Sequence, residues 1–311
     1  MEHTNAIHNV GDATVTKISE ITLDAVPAGF LYPGTDTAVA EEEGRKLHPG
    51  SFDPQTSLLR LSVHAWLVRT AAQVILIDPA TGNGRDLPGN ATLSHLNEPF
   101  LERLKAAGVS PEEVDLVLHT HIHADHVGWN THKAGGRWVP TFRNARHIFS
   151  ARERAYSAAL STRDGSEAAI RAEANLGRMV GVPEPGVYEA SIVPVVEAEM
   201  TREVTVDGTE AAEGFSFFPS PGHSIDHACI SFTSRGERAL FWGDVMHTPV
   251  QFAQPDWNSV YCEFPDAARK ARRWAAGYAA DTRALVLTTH FAESSAGRVI
   301  RDGERFAWQF A

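Results

Sequence analysis

Cysteine is scarce in this sequence, since only Cys229 and Cys262 occur among its 311 residues. Two cysteines are too few for a disulfide framework, so a reducing cytoplasm is the expected location. A zinc site built on several thiolates is excluded for the same reason. Any metal that this chain binds must be held by imidazole and carboxylate groups.

Long apolar runs and an excess of basic charge are also missing. No run of about 18 apolar residues occurs, so the sequence predicts no transmembrane helix. Residues 1–10 are polar and lack the basic and then apolar pattern of a secretory signal. The net charge of −11 is opposite in sign to that of a typical nucleic-acid-binding surface. We therefore expect neither a membrane nor a nucleic acid as a partner.

Apolar periodicity predicts strands interleaved with a few helices, which is typical of layered α/β architecture with a mixed sheet. Strands are predicted at 12–24, 59–68, 74–77, 114–118, 192–196, 215–218, 228–232, 239–242 and 284–287, with a hairpin at 298–301 and 305–308. Helices are predicted at 101–107, 151–179 and 266–279. Residues 26–57 contain several prolines and glycines, and a loop of that length in a compact domain usually has a function or covers something.

The densest group of potential metal ligands is Thr120-His121-Ile122-His123-Ala124-Asp125-His126. His121 and His123 are two residues apart, so in an extended stretch their side chains point to the same side. Asp125 and His126 are adjacent and therefore diverge. One loop can thus offer two ligands to one metal ion and two ligands to a second ion beside it. Imidazole with carboxylate suits zinc, and also manganese, iron or cobalt.

Three further residues of ligand type each follow an apolar strand. His223 lies on a turn after 215–218, Asp244 follows 239–242, and His290 follows 284–287. The carboxyl ends of strands are where α/β folds place their sites. We therefore group these three residues with the histidine-rich loop.

The string His-x-His-x-Asp-His, followed in order by Pro-Gly-His, Gly-Asp and a strand-terminal Thr-His, resembles the metallo-β-lactamase superfamily. The resemblance extends from Leu59 to the C-terminus. It implies one domain over residues 1–311, an αβ/βα sandwich of two mixed β-sheets flanked by helices. It also implies two divalent metal ions, with zinc as the first choice and manganese, iron or cobalt as alternatives. The ligands implied are His121, His123 and His223 for metal one, Asp125, His126 and His290 for metal two, and Asp244 as the bridge.

All seven ligand positions are filled, and this bears on the branch of the superfamily. The true zinc β-lactamases generally lack the bridging aspartate, so the presence of Asp244 argues against β-lactamase activity. The diiron flavoproteins usually carry glutamate at the position of His123, so this histidine argues against oxygen or nitric-oxide reduction. A covering loop over about 26–57 and a helical insert over about 151–185 make the chain similar to the lactonase and methyl-parathion-hydrolase-like branch. In that branch such additions cover the metal site and help to form a homodimer.

The resemblance implies hydrolysis by a hydroxide shared between the two ions. Asp125 or Asp244 would then transfer the proton. His247 stands where lactonases of this type place a tyrosine, so it either donates a hydrogen bond in catalysis or merely packs beside the metals. Asp78, at the end of a predicted strand, is expected to orient a metal-bound histidine.

Other residues near these motifs are expected to be structural. His119 and His227 match no ligand position, and His64 lies inside an apolar strand. Trp129 and Phe291 adjoin ligands, so they either line an apolar substrate pocket or pack in the core.

The leading functional hypothesis is hydrolysis of a lactone or carboxylic ester, such as an N-acyl homoserine lactone, with phosphotriester hydrolysis as a further activity on the same metals. Thioester hydrolysis of the glyoxalase-II kind is an alternative, although the helical insert counts against it. A non-hydrolytic small-molecule binding module is another. Loss of a ligand would favour the binding module, and the sequence lacks none of the seven.

Overall fold

The computed structural model describes residues 6–46 and 51–311 of the chain. Its strands are β1 (Ile7–Val10), β2 (Ala13–Val26), β3 (Phe52–Asp53), β4 (Leu58–Arg69), β5 (Val74–Ile77), β6 (Leu116–Leu118), β7 (Thr131–Ala134), β8 (Arg137–Pro140), β9 (Arg146–Ser150), β10 (Thr201–Val204), β11 (Glu210–Ala212), β12 (Phe215–Pro219), β13 (Ala228–Ser234), β14 (Glu237–Phe241), β15 (Leu285–Leu287), β16 (Ala296–Asp302) and β17 (Arg305–Phe310). Its helices are α1 (Ala28–Leu31), α2 (Thr37–Lys46), α3 (Phe100–Ala106), α4 (Ala124–Val127), α5 (Ala151–Thr162), α6 (Glu167–Ala174), α7 (Val193–Glu197), α8 (Val250–Ala253) and α9 (Pro265–Thr282).

Most of these strands form two mixed sheets. The first sheet has the order β1-β2-β4-β5-β6-β9-β10, with β3 also paired to β4, and the second runs from β11 to β17 in chain order. In the first sheet, β5, β6, β9 and β10 pair in parallel, and in the second sheet β14 and β15 do so. Strands β7 and β8 form a separate hairpin. The predicted α/β class with mixed sheets is confirmed.

The main apolar core lies between the two sheets. Trp66 and Val68 of β4 belong to this core, together with Ile230 and Phe241 of the second sheet. The ring centroids of Trp66 and Phe241 are 6.4 Å apart, so the sheets touch directly. Leu67 belongs to the cluster on the other face of the first sheet, since successive side chains of a strand alternate.

Helices cover the outer face of each sheet. Leu104 of α3 packs with Leu76 on the first sheet. Ala275 and Ala279 of α9 pack with Val286 on the second sheet. These helix, sheet, sheet and helix layers are the predicted αβ/βα sandwich. None of the helices in the described part of the chain is long and apolar enough to cross a membrane.

The covering segment predicted as an irregular loop over 26–57 contains helices. α1 follows Pro27, and α2 occupies Thr37–Lys46. The expectation of irregular structure is wrong for α2, because its sequence TAVAEEEGRK is rich in good helix formers and the prolines of the segment lie outside it. Residues 47–50 of the predicted loop lie outside the described residues.

The apolar stretch predicted as a strand at 192–196 is helical instead. It ends a π-helical turn at Tyr188–Ile192 and then forms α7. A short apolar run does not distinguish a buried strand from a helix, and Pro194 suits the first turn of a helix. The helical part of the predicted insert also ends early, because α6 stops at Ala174 and Asn175 adopts a left-handed conformation.

Candidate metal centre

The predicted ligands meet where loops from both sheets come together. In the first sheet, the parallel strands β5 and β6 lead into Asp78 and His119. In the second sheet, the parallel strands β14 and β15 precede Asp244 and His290. His223 lies on the turn between β12 and β13. The parallel strand pairs therefore deliver their following residues to a common edge.

The structure brings all seven predicted ligands into one cluster. Ligand atoms lie within 4.8 Å of one another in each of four groups: His121, His123 and His223; Asp125, His126 and His290; His121, His126 and Asp244; His223, Asp244 and His247. The first two groups coincide with the sets expected for metal one and metal two. Asp244 shares a group with members of both sets, as a bridging ligand would.

Unpaired buried atoms indicate that metal ions fit this cluster. Among the described residues, Nε2 of His121, Nε2 of His126 and Oδ1 of Asp244 have no hydrogen-bond partner, although they are buried. Leaving a buried polar atom unpaired costs about 1–3 kcal/mol. Divalent cations bound by these atoms would remove that cost, and imidazole with carboxylate is a donor set that zinc accepts.

Hydrogen bonds on the far side of each ring orient these histidines. Nδ1 of His126 lies 3.1 Å from Oδ2 of Asp78, as predicted for Asp78. Nδ1 of His121 lies 3.0 Å from Oγ1 of Thr120, whose hydroxyl also donates to Asp78. Nδ1 of His290 lies 3.0 Å from the carbonyl oxygen of Ser62. All three rings therefore turn Nε2 toward the cluster.

His123 presents the opposite ring nitrogen, and sequence reasoning missed its partner. Nε2 of His123 lies 3.0 Å from Oε1 of Glu263, whereas Nδ1 lies 2.9 Å from Nε2 of His223. Glu263 is 1% exposed. A lone acid in the otherwise apolar stretch before Pro265 is the sequence feature that could have drawn attention to it.

Asp244 lies among the imidazoles of the cluster. Its Oδ2 is 3.0 Å from Nε2 of His290 and 3.2 Å from Nε2 of His223, and its Oδ1 is 3.2 Å from Nε2 of His126. Burial opposes ionisation of this carboxyl, but the neighbouring histidines hold the pKa of Asp244 well below its usual range. The carboxylate is therefore available as a ligand.

His247 contacts this carboxylate from the side. Its Nε2 lies 3.3 Å from Oδ2 of Asp244, and its ring stacks on His290 with centroids 5.0 Å apart. Burial lowers the pKa of His247, which favours a neutral imidazole. Tyr261, on the other flank, stacks on the same ring at 5.9 Å. The role of His247 as a catalytic helper stays a prediction.

Two glycines allow the ligand loops to approach their neighbours closely. A Cβ at Gly128 would lie 1.7 Å from the carbonyl oxygen of Thr81. Gly222, just before His223, has φ +129, and a Cβ there would lie 2.0 Å from the amide nitrogen of Ala268. Both positions require glycine if the loops are to keep this arrangement.

His119, His227 and His64, which the sequence predicts to be structural, each hydrogen-bond to neighbouring protein groups. Nε2 of His119 lies 2.9 Å from Oδ1 of Asn130. The amide of Asp244 donates to His227, and His64 lies between Ser62 and the carbonyl of Thr288.

Trp129 and Phe291 belong to the core rather than to a substrate pocket. Trp129 stacks on Phe100 and donates a 2.6 Å hydrogen bond to Glu20. Phe291 is fully buried and packs against Trp242.

A cavity of about 690 Å³ opens above the cluster. Its floor is formed by ligands of the candidate metal centre: His123, Asp125, His223, Asp244 and His290. Its walls come from the end of β2 and from α1, from residues 89–93, from residues 181–184 and from Val260 and Tyr261. The covering segment and the insert thus both contribute walls, and the volume suits a small molecule.

The cavity mouth is apolar and without positive charge. Phe30, Val182, Val260 and Tyr261 are between 40% and 61% exposed at this mouth. Among the described residues that line the cavity there is no lysine or arginine, whereas Asp24 and Glu184 belong to the lining. Exposed apolar side chains gathered around a polar floor are typical of a ligand-binding site.

Several solved structures share this fold. The chain superposes on the hydrolase AbOPH of the beta lactamase superfamily with a TM-score of 0.78 at 23% identity, covering 99% of this chain and 97% of that one. AidC, a dizinc quorum-quenching lactonase, gives a TM-score of 0.72 at 19% identity, covering 99% and 97%. A probable metal-dependent hydrolase from Staphylococcus aureus gives 0.72 at 19% identity, covering 98% and 99%.

No curated protein matches the sequence. A sequence model of the metallo-beta-lactamase superfamily, by contrast, matches residues 58–290, which include all seven candidate ligands. The match agrees with the layers of the fold and with the order of the ligand motifs. The chain therefore belongs to the metallo-beta-lactamase superfamily.

Proposed function

We propose that this protein is a dinuclear metal-dependent hydrolase that opens neutral lactones or carboxylic esters, N-acyl homoserine lactones among them. The observation that carries the proposal is the complete set of seven ligand-type side chains, five of which form the floor of an apolar cavity. Zinc is the first choice for both ions, and manganese, iron and cobalt suit the same donors.

Two divalent ions in such a site would supply a hydroxide nucleophile near neutral pH and polarise the carbonyl oxygen of the substrate. The protein's own contribution is to hold and orient the reacting groups. Asp244 lies between the two ligand sets: its Oδ1 is 3.2 Å from Nε2 of His126, and its Oδ2 is 3.2 Å from Nε2 of His223. Asp125, which is 19% exposed in its side chain, faces the cavity and would receive or return the proton.

His247 would act on the other side of the reacting carbonyl. Burial lowers the pKa of His247 and so favours the neutral imidazole, in which one ring nitrogen carries a proton that it would donate to the substrate or to the leaving oxygen. Its stacking between His290 and Tyr261 fixes the plane of the ring. Histidine would thereby do what a tyrosine does in lactonases that resemble this chain.

The charge of the cavity favours a neutral substrate. Without lysine or arginine among its described lining residues, the cavity offers no lysine or arginine side chain to pair with the carboxylates of a glutathione thioester. The apolar mouth instead suits an acyl chain or another apolar substituent. This argues against the glyoxalase-II-like alternative. It leaves phosphotriesters, which are also neutral, as a second substrate class for the same ions.

The proposal is tested by loading purified protein with zinc, manganese, iron or cobalt and assaying four substrate types. These are acyl homoserine lactones of different chain length, an activated aryl ester, a phosphotriester and a glutathione thioester. We expect lactone or ester hydrolysis that stops when a chelator removes the metal, and little thioester cleavage. Ligand-induced thermal stabilisation without any product would instead support the non-hydrolytic binding module. Preference for the thioester would overturn the substrate assignment.

A further inference from the structure

Glu263 is a buried acid that touches the candidate metal centre from behind. It is 1% exposed, and its Oε1 accepts a hydrogen bond from Nε2 of His123 at 3.0 Å. Burying a carboxylate is costly unless it has a partner. The hydrogen bond from His123 to Oε1 therefore offsets part of that cost.

The backbone of Glu263 also holds a second ligand of metal one. Its amide donates to the carbonyl oxygen of His223 at 3.0 Å, and the next amide, of Phe264, donates to Gly222 at 2.8 Å. The carbonyl of Glu263 accepts from the amide of Val180 at 2.8 Å. Backbone hydrogen bonds therefore hold the segment that carries Glu263 against the His223 turn and against the residues after α6.

A packed wall fixes this segment in place. Phe264 clusters with Tyr156 of α5 and with Ile225 of the His223 turn. Sγ of Cys262 lies 3.8 Å from Nδ1 of His223. Glu263 can thus position His123 because its own position is determined by several independent contacts.

The direction of the hydrogen bond decides which nitrogen of His123 can bind a metal. A carboxylate at Nε2 keeps the proton on that nitrogen, so the lone pair is on Nδ1. Nδ1 is the nitrogen that lies 2.9 Å from Nε2 of His223. An anion hydrogen-bonded to a ligating imidazole also makes it a stronger donor.

We propose that Glu263 is the positioning residue of metal one: it sets the tautomer and orientation of His123, anchors the backbone of His223, and so determines how tightly His121, His123 and His223 hold their ion. This inference rests on the proposed dinuclear centre. It assigns a role to a residue outside the seven ligands, and it predicts that the two metal sites respond differently to one substitution.

Glu153 provides a matched control. It is a second buried glutamate in the same wall, 2% exposed, but its Oε1 accepts from the amide of Asp226 at 2.7 Å and from the hydroxyl of Ser224. These hydrogen-bond partners of Glu153 are not candidate metal ligands. Glu153→Gln changes the charge of the wall without touching the hydrogen bond to His123.

The test measures metal content and chelator-competition affinity for wild type, Glu263→Gln, Glu263→Ala and Glu153→Gln. In Glu263→Ala we expect one of the two ions to bind about 10–100-fold more weakly, as is typical when such a partner is removed, while the other ion is retained. Glu263→Gln should weaken the same ion less, because its amide oxygen still accepts the hydrogen bond from Nε2. Glu153→Gln should keep both affinities near the wild-type values.

Far-UV circular dichroism and melting of the metal-free proteins separate weak binding from misfolding. If Glu263→Ala does not fold, the isosteric Glu263→Gln decides, and wild-type affinity for both ions in that variant would overturn the inference. Equal weakening in Glu153→Gln would overturn it as well, because the effect would then belong to the wall as a whole. Fewer than two ions in wild-type protein would contradict the proposed dinuclear function itself. That outcome can therefore be told apart from a failure of the inference about Glu263.

Discussion

At the scale of single residues, the site depends on contacts behind the ligands as much as on the ligands themselves. Asp78 holds His126, the carbonyl of Ser62 holds His290, and Glu263 holds His123. Each contact fixes which ring nitrogen faces the cluster. The rings therefore need little reorientation when ions bind, and a preorganised site of this kind favours both affinity and catalysis.

His247 is the residue whose role is most open to a direct test. In His247→Ala we expect two ions per chain as in wild type, with kcat for the best lactone or ester reduced about 100-fold or more, because a proton donor is lost. Steady-state kinetics together with metal analysis check this. His247→Tyr should recover part of the loss, since a phenol can donate the same hydrogen bond. Loss of an ion from His247→Ala would contradict the helper role and make His247 a ligand.

The candidate ligands and the contact of Asp78 could be predicted from the sequence, whereas the supports of His123 and His290 could not. His121, His123, Asp125 and His126 fall within six positions, so their chemistry is visible as a string. The hydrogen bond between His123 and Glu263 joins residues 140 positions apart. The support of His290 comes from a backbone carbonyl, which any residue type at position 62 could offer.

At the scale of elements, the cavity mouth is assembled from segments that are distant in the chain. Phe30 comes from α1, Val182 from the stretch after α6, and Tyr261 from the segment before α9. The rings of Phe30 and Tyr261 meet edge to face at 6.4 Å. These elements lie outside the two sheets, so they can determine substrate preference without altering the metal ligands.

Phe30→Ala should weaken the binding of substrates with long apolar chains more than that of short ones. Losing about 1–2 kcal/mol of apolar contact would raise KM about tenfold for a long-chain lactone, with kcat little changed. KM measured across a series of acyl lengths checks this expectation. Trp274→Ala, at an exposed aromatic residue of α9 outside the cavity lining, is the matched control. A uniform change for all chain lengths would argue against an acyl-binding mouth.

Glu153 of α5 gives the insert a pH-dependent contribution to stability. Burial, with the nearby charge of Glu263, raises the pKa of Glu153 to about 7 from its usual 4.5. Between these values the folded protein binds more protons than the unfolded chain, so this residue lowers the free energy of unfolding as pH rises.

We therefore expect the stability of metal-free wild type, relative to Glu153→Gln, to fall between about pH 4.5 and 7 and to level off above. Denaturant unfolding at a series of pH values measures this difference. Glu102→Gln, at an exposed position of α3, controls for the loss of one negative charge. Parallel curves for wild type and Glu153→Gln would contradict the raised pKa.

Elements with a clear hydrophobic period could be predicted from the sequence. A short apolar segment and a helix flanked by prolines and glycines could not. The terminal hairpin of β16 and β17, and the long helix α9, follow clear strand and helix patterns. The stretch 192–196 was predicted as a strand and is helical, because five apolar-rich residues carry no period and the packing around them decides. The sequence does not predict α2, because the prolines and glycines on either side of it indicate irregular structure for the whole segment.

At the scale of the whole molecule, the candidate metal centre lies on the seam between the two sheets. The loop after β6 belongs to the first sheet, whereas Asp244 and His290 follow strands of the second. Ions bound there would join the two halves of the sandwich at this edge, so metal binding and folding stability are expected to be linked. The single-domain organisation over 1–311, the homodimer and the cytoplasmic location stay predictions.

Metal content per chain, measured for wild type and Asp244→Ala alongside lactone hydrolysis, tests the central claim most directly. Asp244 lies close to members of both candidate ligand sets, so as the proposed bridge its removal should take away at least one of the two ions and abolish hydrolysis while the metal-free fold is retained. Two ions in wild type, with metal content and activity falling together in Asp244→Ala, is the result that this account predicts. One ion or none in a folded wild-type protein, or full activity in Asp244→Ala, would contradict it.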